Sequence, residues 1–219
     1  MYSTYIFDLD GTLLDTLDDL HLAVNHALQT NGMPLRSRDE VCHFVGNGIR
    51  KLMQRAVPDG EANPLFGAAF TSFQQYYLEH SMDHTRPYIG IPEVLSDLKR
   101  RGCHIAVVSN KFHLATSELC RHFFPDTVEV AIGENEAMGI RKKPAPDTVL
   151  EAVRQLDVTL QHAVYVGDSE VDIATARAAG LPCISVLWGF RDRDFLLNHG
   201  ASQLVETPAD LLSDGLLVM

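Results

Sequence analysis

The feature that most constrains the fold is a repeated junction, in which a short apolar, β-branched run ends abruptly in an acid, a hydroxyl or a glycine. Tyr5-Ile6-Phe7 runs into Asp8, Ile105-Ala106-Val107-Val108 into Ser109, and Ala163-Val164-Tyr165-Val166 into Gly167-Asp168. Val128-Glu129-Val130-Ala131 and Cys183-Ile184-Ser185-Val186 are further runs of strand length. From residue 84 onward these runs alternate with helical periodicity, the signature of a parallel sheet built from strand-helix units. Most are apolar at consecutive positions, as strands covered on both faces must be. The spacing also predicts a helix from Pro92. It carries Glu93 in its first turn, Val94, Leu95 and Leu98 on one face, and three cations before Gly102, each suited to its end of the helix dipole.

Residues 17–82 read differently, with helical periodicity throughout and no strand-like run. Leu17, Leu20, Val24 and Leu28 form one stripe, Phe66, Phe70, Phe73 and Tyr77 another, and Ser37 with Glu40 a capping box. The expected architecture is therefore α/β: a doubly wound, mostly parallel, Rossmann-like core of residues 1–16 and 83–219, with a small helical cap domain, 17–82, inserted after the first strand. A length of 219 residues suits one full core plus a smaller unit.

Charge and cysteine usage narrow the function classes. Eighteen Lys and Arg against 29 Asp and Glu give a net charge of -11, and no basic cluster is longer than Lys99-Arg100-Arg101, so nucleic acid and anionic membrane are poor partners. The opening residues carry no basic leader and no apolar run reaches the roughly 18 residues a membrane span needs, so a cytoplasmic protein is expected. Cys42, Cys103, Cys120 and Cys183 are scattered without a C-x-x-C pair and read as reduced, mostly buried thiols.

In open parallel sheets, ligands bind beyond the carboxyl ends of the strands. Four strand ends carry distinctive chemistry here. Asp8-Leu9-Asp10-Gly11-Thr12 brings two carboxylates off one strand, whose repulsion a hard cation such as Mg2+ would relieve. Ser109-Asn110-Lys111 offers a hydroxyl and an amide for phosphate oxygens, and Lys143, stiffened by Pro144 and Pro146, offers a compact cation. Gly167-Asp168-Ser169-Glu170-Val171-Asp172 supplies a further metal carboxylate at Asp168, with Asp172 one helical turn later. Each segment has a plainer reading. The first is also a turn, Ser109-Asn110 a helix N-cap, Lys143 a solvated lysine, and Ser169 with Asp172 a capping box. Those readings do not explain why acid, hydroxyl, lysine and acid all fall at strand ends of one sheet.

This constellation resembles the haloacid dehalogenase superfamily, whose four motifs match Asp8 to Thr12, Ser109, Lys143 and Asp168 to Asp172 in order. Within it the chain is most similar to bacterial phosphoglycolate phosphatases, on Val45-Gly46-Asn47-Gly48, Lys142-Lys143-Pro144-x-Pro146 and Val166-Gly167-Asp168-Ser169-x-x-Asp172-Ile173. The resemblance implies a magnesium-dependent phosphatase acting on a small phosphorylated metabolite, with 2-phosphoglycolate the expected substrate. It implies Asp8 as nucleophile and Asp10 as general acid and base. Ser109 and Lys143 would hold the phosphoryl oxygens, with Asn110 assisting in substrate binding. Asp8, the Asp10 carbonyl and Asp168 would hold the metal, and Asp172 would orient a metal-bound water or the lysine without touching the metal itself. The core motifs engage only the phosphoryl group, so the cap is expected to choose the substrate, through Gly46, Asn47, Gly48 and Arg50. Gly46 and Gly48 could equally stop one helix and start the next.

Two other readings remain. A phosphosugar mutase or a pyrophosphatase would share every core residue. A phosphoryl-binding switch akin to receiver domains would need no helical lid and would not place its acceptor on the first strand. Either a monomer or a homodimer is compatible with the sequence. Trp188-Gly189-Phe190-Arg191 follows the last clear strand near the same rim, without an assigned role.

Overall fold

The structure, a computed structural model, describes residues 2–213. β1 (Thr4–Phe7) and the two-residue β2 (Leu14–Asp15) precede helices α1 (Leu17–Thr30), α2 (Arg38–Phe44), α3 (Ile49–Ala56) and α4 (Phe66–His80). After β3 (Arg86–Pro87) the chain alternates: α5 (Ile91–Arg100), β4 (His104–Phe112), α6 (His113–Phe123), β5 (Val130–Glu134), α7 (Asp147–Leu156) and β6 (Ala163–Gly167). It closes with α8 (Glu170–Ala179), β7 (Cys183–Val186), α9 (Arg193–Asn198) and β8 (Gln203–Val205). Two compact units result, Met1–Leu14 with Pro87–Met219, and Asp15–Arg86. The division lies a few residues outside the expected one, where β2 and β3 pair as a separate sheet. Strands of two residues carry no periodicity and leave no mark in a sequence.

The larger unit is built on a six-stranded sheet in the order β5-β4-β1-β6-β7-β8, every pairing parallel. Side-chain alternation sends Tyr5, Phe7, Ile105, Val107, Val164 and Val166 into one core with Ile91, Val94, Leu95 and Leu98 of α5. Ile6, Ala106, Val108, Ala163 and Tyr165 enter a second core with Val149 and Ala152 of α7 and Ala176 of α8. Both faces are covered, which makes the fold a doubly wound α/β sheet as expected.

Three local expectations need correction. The strand expected at Val128–Ala131 is β5, two residues later. The Val128 amide instead closes α6 on the Phe124 carbonyl at 3.2 Å, and Glu129 bonds Ile105 through backbone and carboxylate. β4 does not stop at Val108; its backbone stays extended through Phe112, with a register shift against β5. β8 escaped notice because three residues are too few to show alternation.

The smaller unit is helical. α1 buries the predicted stripe of Leu17, Leu20, Val24 and Leu28, and α4 buries Phe66, Phe73 and Tyr77. The predicted capping box is present, with Ser37 Oγ accepting from the Glu40 amide and Glu40 accepting from the Ser37 amide. Asp19 is the polar anchor. Only 2% exposed, its carboxylate accepts from the amides of His84 and Thr85 and from the Thr85 hydroxyl, at 2.8–3.1 Å, so the unit's last residues are tied to its first helix. Asp19→Ala strands these donors, those of Thr85 buried, and is expected to cost about 3 kcal/mol. A shift of the urea midpoint equivalent to under about 0.5 kcal/mol, the range of ordinary surface substitutions, would contradict that role.

Among the described residues, no helix is long and apolar enough to cross a membrane. All four cysteines are free, Cys103 and Cys120 buried and Cys42 and Cys183 half-buried.

Candidate active site

The register of the three central strands sets the site. Phe7 pairs with Val107 of β4 on one side and Val166 of β6 on the other, so the residues that follow emerge level at one rim. Asp8 follows Phe7 at once, Ser109 and Asp168 stand one residue further on, after Val108 and Gly167, and Lys143 reaches the same place from the segment before α7. All four are buried, Asp8 at 7% exposure and Lys143 at 3%.

Lys143 is the hub. Its Nζ lies 2.7 Å from Asp8 Oδ1 and 2.8 Å from Asp172 Oδ1, and it donates to the Tyr165 hydroxyl at 3.2 Å. Asp172 accepts twice on each oxygen. Oδ1 takes Lys143 and the Tyr165 hydroxyl, the latter at 2.9 Å, while Oδ2 takes the Ser169 hydroxyl at 2.5 Å and the Ser169 amide at 3.1 Å. With about four lone-pair sites on a carboxylate, Asp172 is saturated by protein donors. Asp172 thus has two structural roles: one oxygen caps α8, the other accepts from the lysine.

Asp8, Asp168 and Asp172 each bring a carboxylate oxygen within 4.8 Å of the others. Burial pushes the Asp8 carboxyl well above the usual range, and the Asp172 charge adds to this while Lys143 opposes it. Burial and Asp172 push Asp168 up to about 7. For Lys143, burial favours loss of the proton, but the carboxylates of Asp172 and Asp8 outweigh it and raise its pKa. One ammonium among three acids leaves uncompensated negative charge in a dry site. Oxygen donors alone, with no thiol or imidazole, suit a hard divalent cation.

Along β4, alternate side chains take opposite sides. Ser109 and Lys111 both turn to Asp10: Lys111 Nζ lies 2.9 Å from Oδ1 and Ser109 Oγ donates to Oδ2 at 3.4 Å. Asn110 points the other way, donating to the Lys143 carbonyl at 3.1 Å and accepting from the Lys143 amide at 2.7 Å. Its side chain, expected at the substrate, is thus committed to the backbone of the lysine segment.

Sequence reasoning missed three groups. Lys111 was passed over as part of a strand end, although the two-residue spacing from Ser109 would have aligned it once the strand was known to continue. Tyr165 sits inside an apolar run, where its hydroxyl was invisible to hydropathy. The Trp188–Phe190 segment does reach the site, through Phe190 N–H to Asp168 Oδ2 at 2.7 Å. The expected cap residues lie in the smaller unit. Gly46 and Gly48 have positive φ of 120° and 83°, and Gly48 caps α3. Asn47 Oδ1 accepts from Arg55 at 2.8 Å. Arg50 pairs with Glu61 at 2.8 Å and lies over the rings of Phe66 and Phe70.

The chain is similar to known proteins. The profile of the haloacid dehalogenase-like hydrolases matches residues 5–186. A phosphoglycolate phosphatase of Thiobacillus denitrificans is 34% identical over 190 residues, 84% of this chain and 83% of that protein. One from Neisseria meningitidis is 34% identical over 202 residues, 90% of this chain and 85% of that protein. Among solved structures, a Lactobacillus delbrueckii protein provisionally described as a phosphoglycolate phosphatase matches with a TM-score of 0.91 at 35% identity, covering 96% of each chain.

Proposed function

The chain belongs to the haloacid dehalogenase-like hydrolases, and from that membership we propose a magnesium-dependent phosphatase that acts on a small phosphomonoester, 2-phosphoglycolate, through an aspartyl-phosphate. The observation that carries this reading is the meeting of Asp8, Lys143 and Asp168 at one rim, with the Lys143 ammonium 2.7 Å from the Asp8 carboxylate.

An oxygen of Asp8 attacks phosphorus, and the bond to the leaving alkoxide breaks. The carboxylic acid of Asp10, two residues on, gives its proton to that alkoxide. It then takes a proton from water, whose oxygen attacks the same phosphorus and releases inorganic phosphate and the Asp8 carboxylate. Ser109 and Lys143 hold the phosphoryl oxygens, while Asp172 and Tyr165 hold Lys143 and Asn110 holds its backbone. Lys111 keeps the Asp10 carboxylate beside the reacting bond. Asp8, Asp168 and the Asp10 carbonyl would hold the cation, with the saturated Asp172 outside its coordination. Bound there, Mg2+ would neutralise charge on the phosphoryl oxygens.

The substrate assignment rests on the named relatives and on the Gly46-Asn47-Gly48 turn that opens α3. In this reading the α3 amides and Arg50 receive the substrate carboxylate, which must displace Glu61 from Arg50. Arg50→Ala is expected to lower kcat/KM for 2-phosphoglycolate about tenfold, the loss of roughly 1.4 kcal/mol, and to leave p-nitrophenyl phosphate nearly unaffected. The test is kcat/KM across 2-phosphoglycolate, hexose phosphates, nucleotides and pyrophosphate for both proteins. Unchanged discrimination removes the cap turn from recognition, and a preference for pyrophosphate or phosphosugars replaces the substrate.

A further inference from the structure

The chain's single tryptophan, Trp188, stands two residues past the end of β7. Because β7 neighbours β6, and β6 neighbours β1, the turns that follow β1 and β7 flank Asp168 from either side. The indole Nε1–H of Trp188 donates to the Thr12 carbonyl at 2.9 Å, joining the two turns. Each turn then contributes one donor to Asp168: Thr12 Oγ to Oδ1 at 3.2 Å, and Phe190 N–H to Oδ2 at 2.7 Å. The contact is as close as backbone allows. A Cβ at Gly189 would collide with Asp168 Cβ and the Gly11 carbonyl, and one at Gly11 would sit 2.5 Å from Asp168 Oδ2 and 2.8 Å from the Phe190 ring. The rest of the indole packs on the core beneath the sheet.

We propose that Trp188 is a positioning residue for cation binding: through Thr12 it ties together the two turns whose donors set the plane of the Asp168 carboxylate. The inference rests on the reading of Asp168 as a cation ligand. Two donors, one per oxygen, stop the carboxylate from rotating about its Cβ–Cγ bond and still leave lone pairs for a metal. Mg2+ tolerates little departure from octahedral geometry at 2.0–2.1 Å, so the energy of holding that plane appears as affinity. Partners that orient a metal ligand typically contribute 10- to 100-fold.

The test is calorimetric titration of the substrate-free protein with MgCl2. Trp188→Phe keeps the aromatic packing and deletes the indole N–H; Thr12→Val deletes the hydroxyl with little change of shape. In each, the magnesium dissociation constant should rise about 10- to 100-fold. For p-nitrophenyl phosphate, KM at saturating magnesium should stay near the wild-type value and kcat should recover as magnesium is raised, a rescue that general loss of structure would not give. Should Trp188→Phe not fold, Thr12→Val carries the same titration. Wild-type affinity in the folded variants overturns the clamp and leaves the metal site standing. Absence of magnesium binding in the wild-type protein overturns the metal site, and the clamp with it.

Discussion

Asp8→Asn is expected to lower kcat by about ten-thousand-fold or more, because an amide cannot accept the phosphoryl group that the proposed mechanism passes to the Asp8 carboxylate. The side chains are nearly isosteric, so the loss should not come from misfolding. Physical chemistry in fact predicts the opposite sign for stability. Asp8 is buried, its carboxyl raised by desolvation and by the charge of Asp172, with Lys143 only partly compensating. Removing one of three crowded acids relieves repulsion, although it also removes a lysine partner. The expected melting temperature of Asp8→Asn in metal-free buffer is thus equal to or above that of the wild type, the pattern of a site held strained for function. Phosphatase activity undiminished in a folded Asp8→Asn protein would eliminate the proposed nucleophile, and a large fall in melting temperature would mean that its carboxylate serves chiefly to hold Lys143.

Chelation should have the next largest effect. EDTA is expected to reduce turnover about a thousand-fold, with recovery on adding magnesium, because charge stabilisation at the transferring phosphoryl group is the main contribution a protein of this kind makes. The same cation should stabilise the fold. A cation that favours the native arrangement of Asp8 and Asp168 over the unfolded chain would add about 2.7 kcal/mol at one hundred times its dissociation constant. Thermal unfolding with and without magnesium measures this, and Asp168→Asn should lose most of the increment. Full turnover in chelator, or equal magnesium stabilisation in wild type and Asp168→Asn, would exclude the role given to Asp168.

The core site was legible in the sequence for a specific reason. Parallel strands put their chemistry at their carboxyl ends, so Asp8, Ser109 and Asp168 stand out as the first polar residues after apolar runs, and the register of β1 with β4 and β6 brings them to one rim within a residue of one another. What stayed hidden depends on direction rather than composition. Asn110 and Lys111 are adjacent, yet one serves the Lys143 backbone and the other Asp10, a split that appears only once β4 is seen to run on through Phe112. Trp188 and Thr12 are 176 positions apart and meet only because β7, β6 and β1 are neighbours. Asp19 was hidden for the opposite reason: an acid in the first turn of a helix looks ordinary, while its partners His84 and Thr85 lie at the far end of the same unit.

The run of β4 past Val108 carries a consequence for how this chain can change. One added or lost residue ahead of Ser109 would exchange the two sides of the strand, sending Asn110 toward Asp10 and pulling Ser109 and Lys111 away from it. Substitution there alters one side chain, whereas an insertion or deletion miswires three at once. Spacing along this stretch should therefore be under tighter selection than the identity of any single residue in it, and chimeras or designed variants should splice elsewhere.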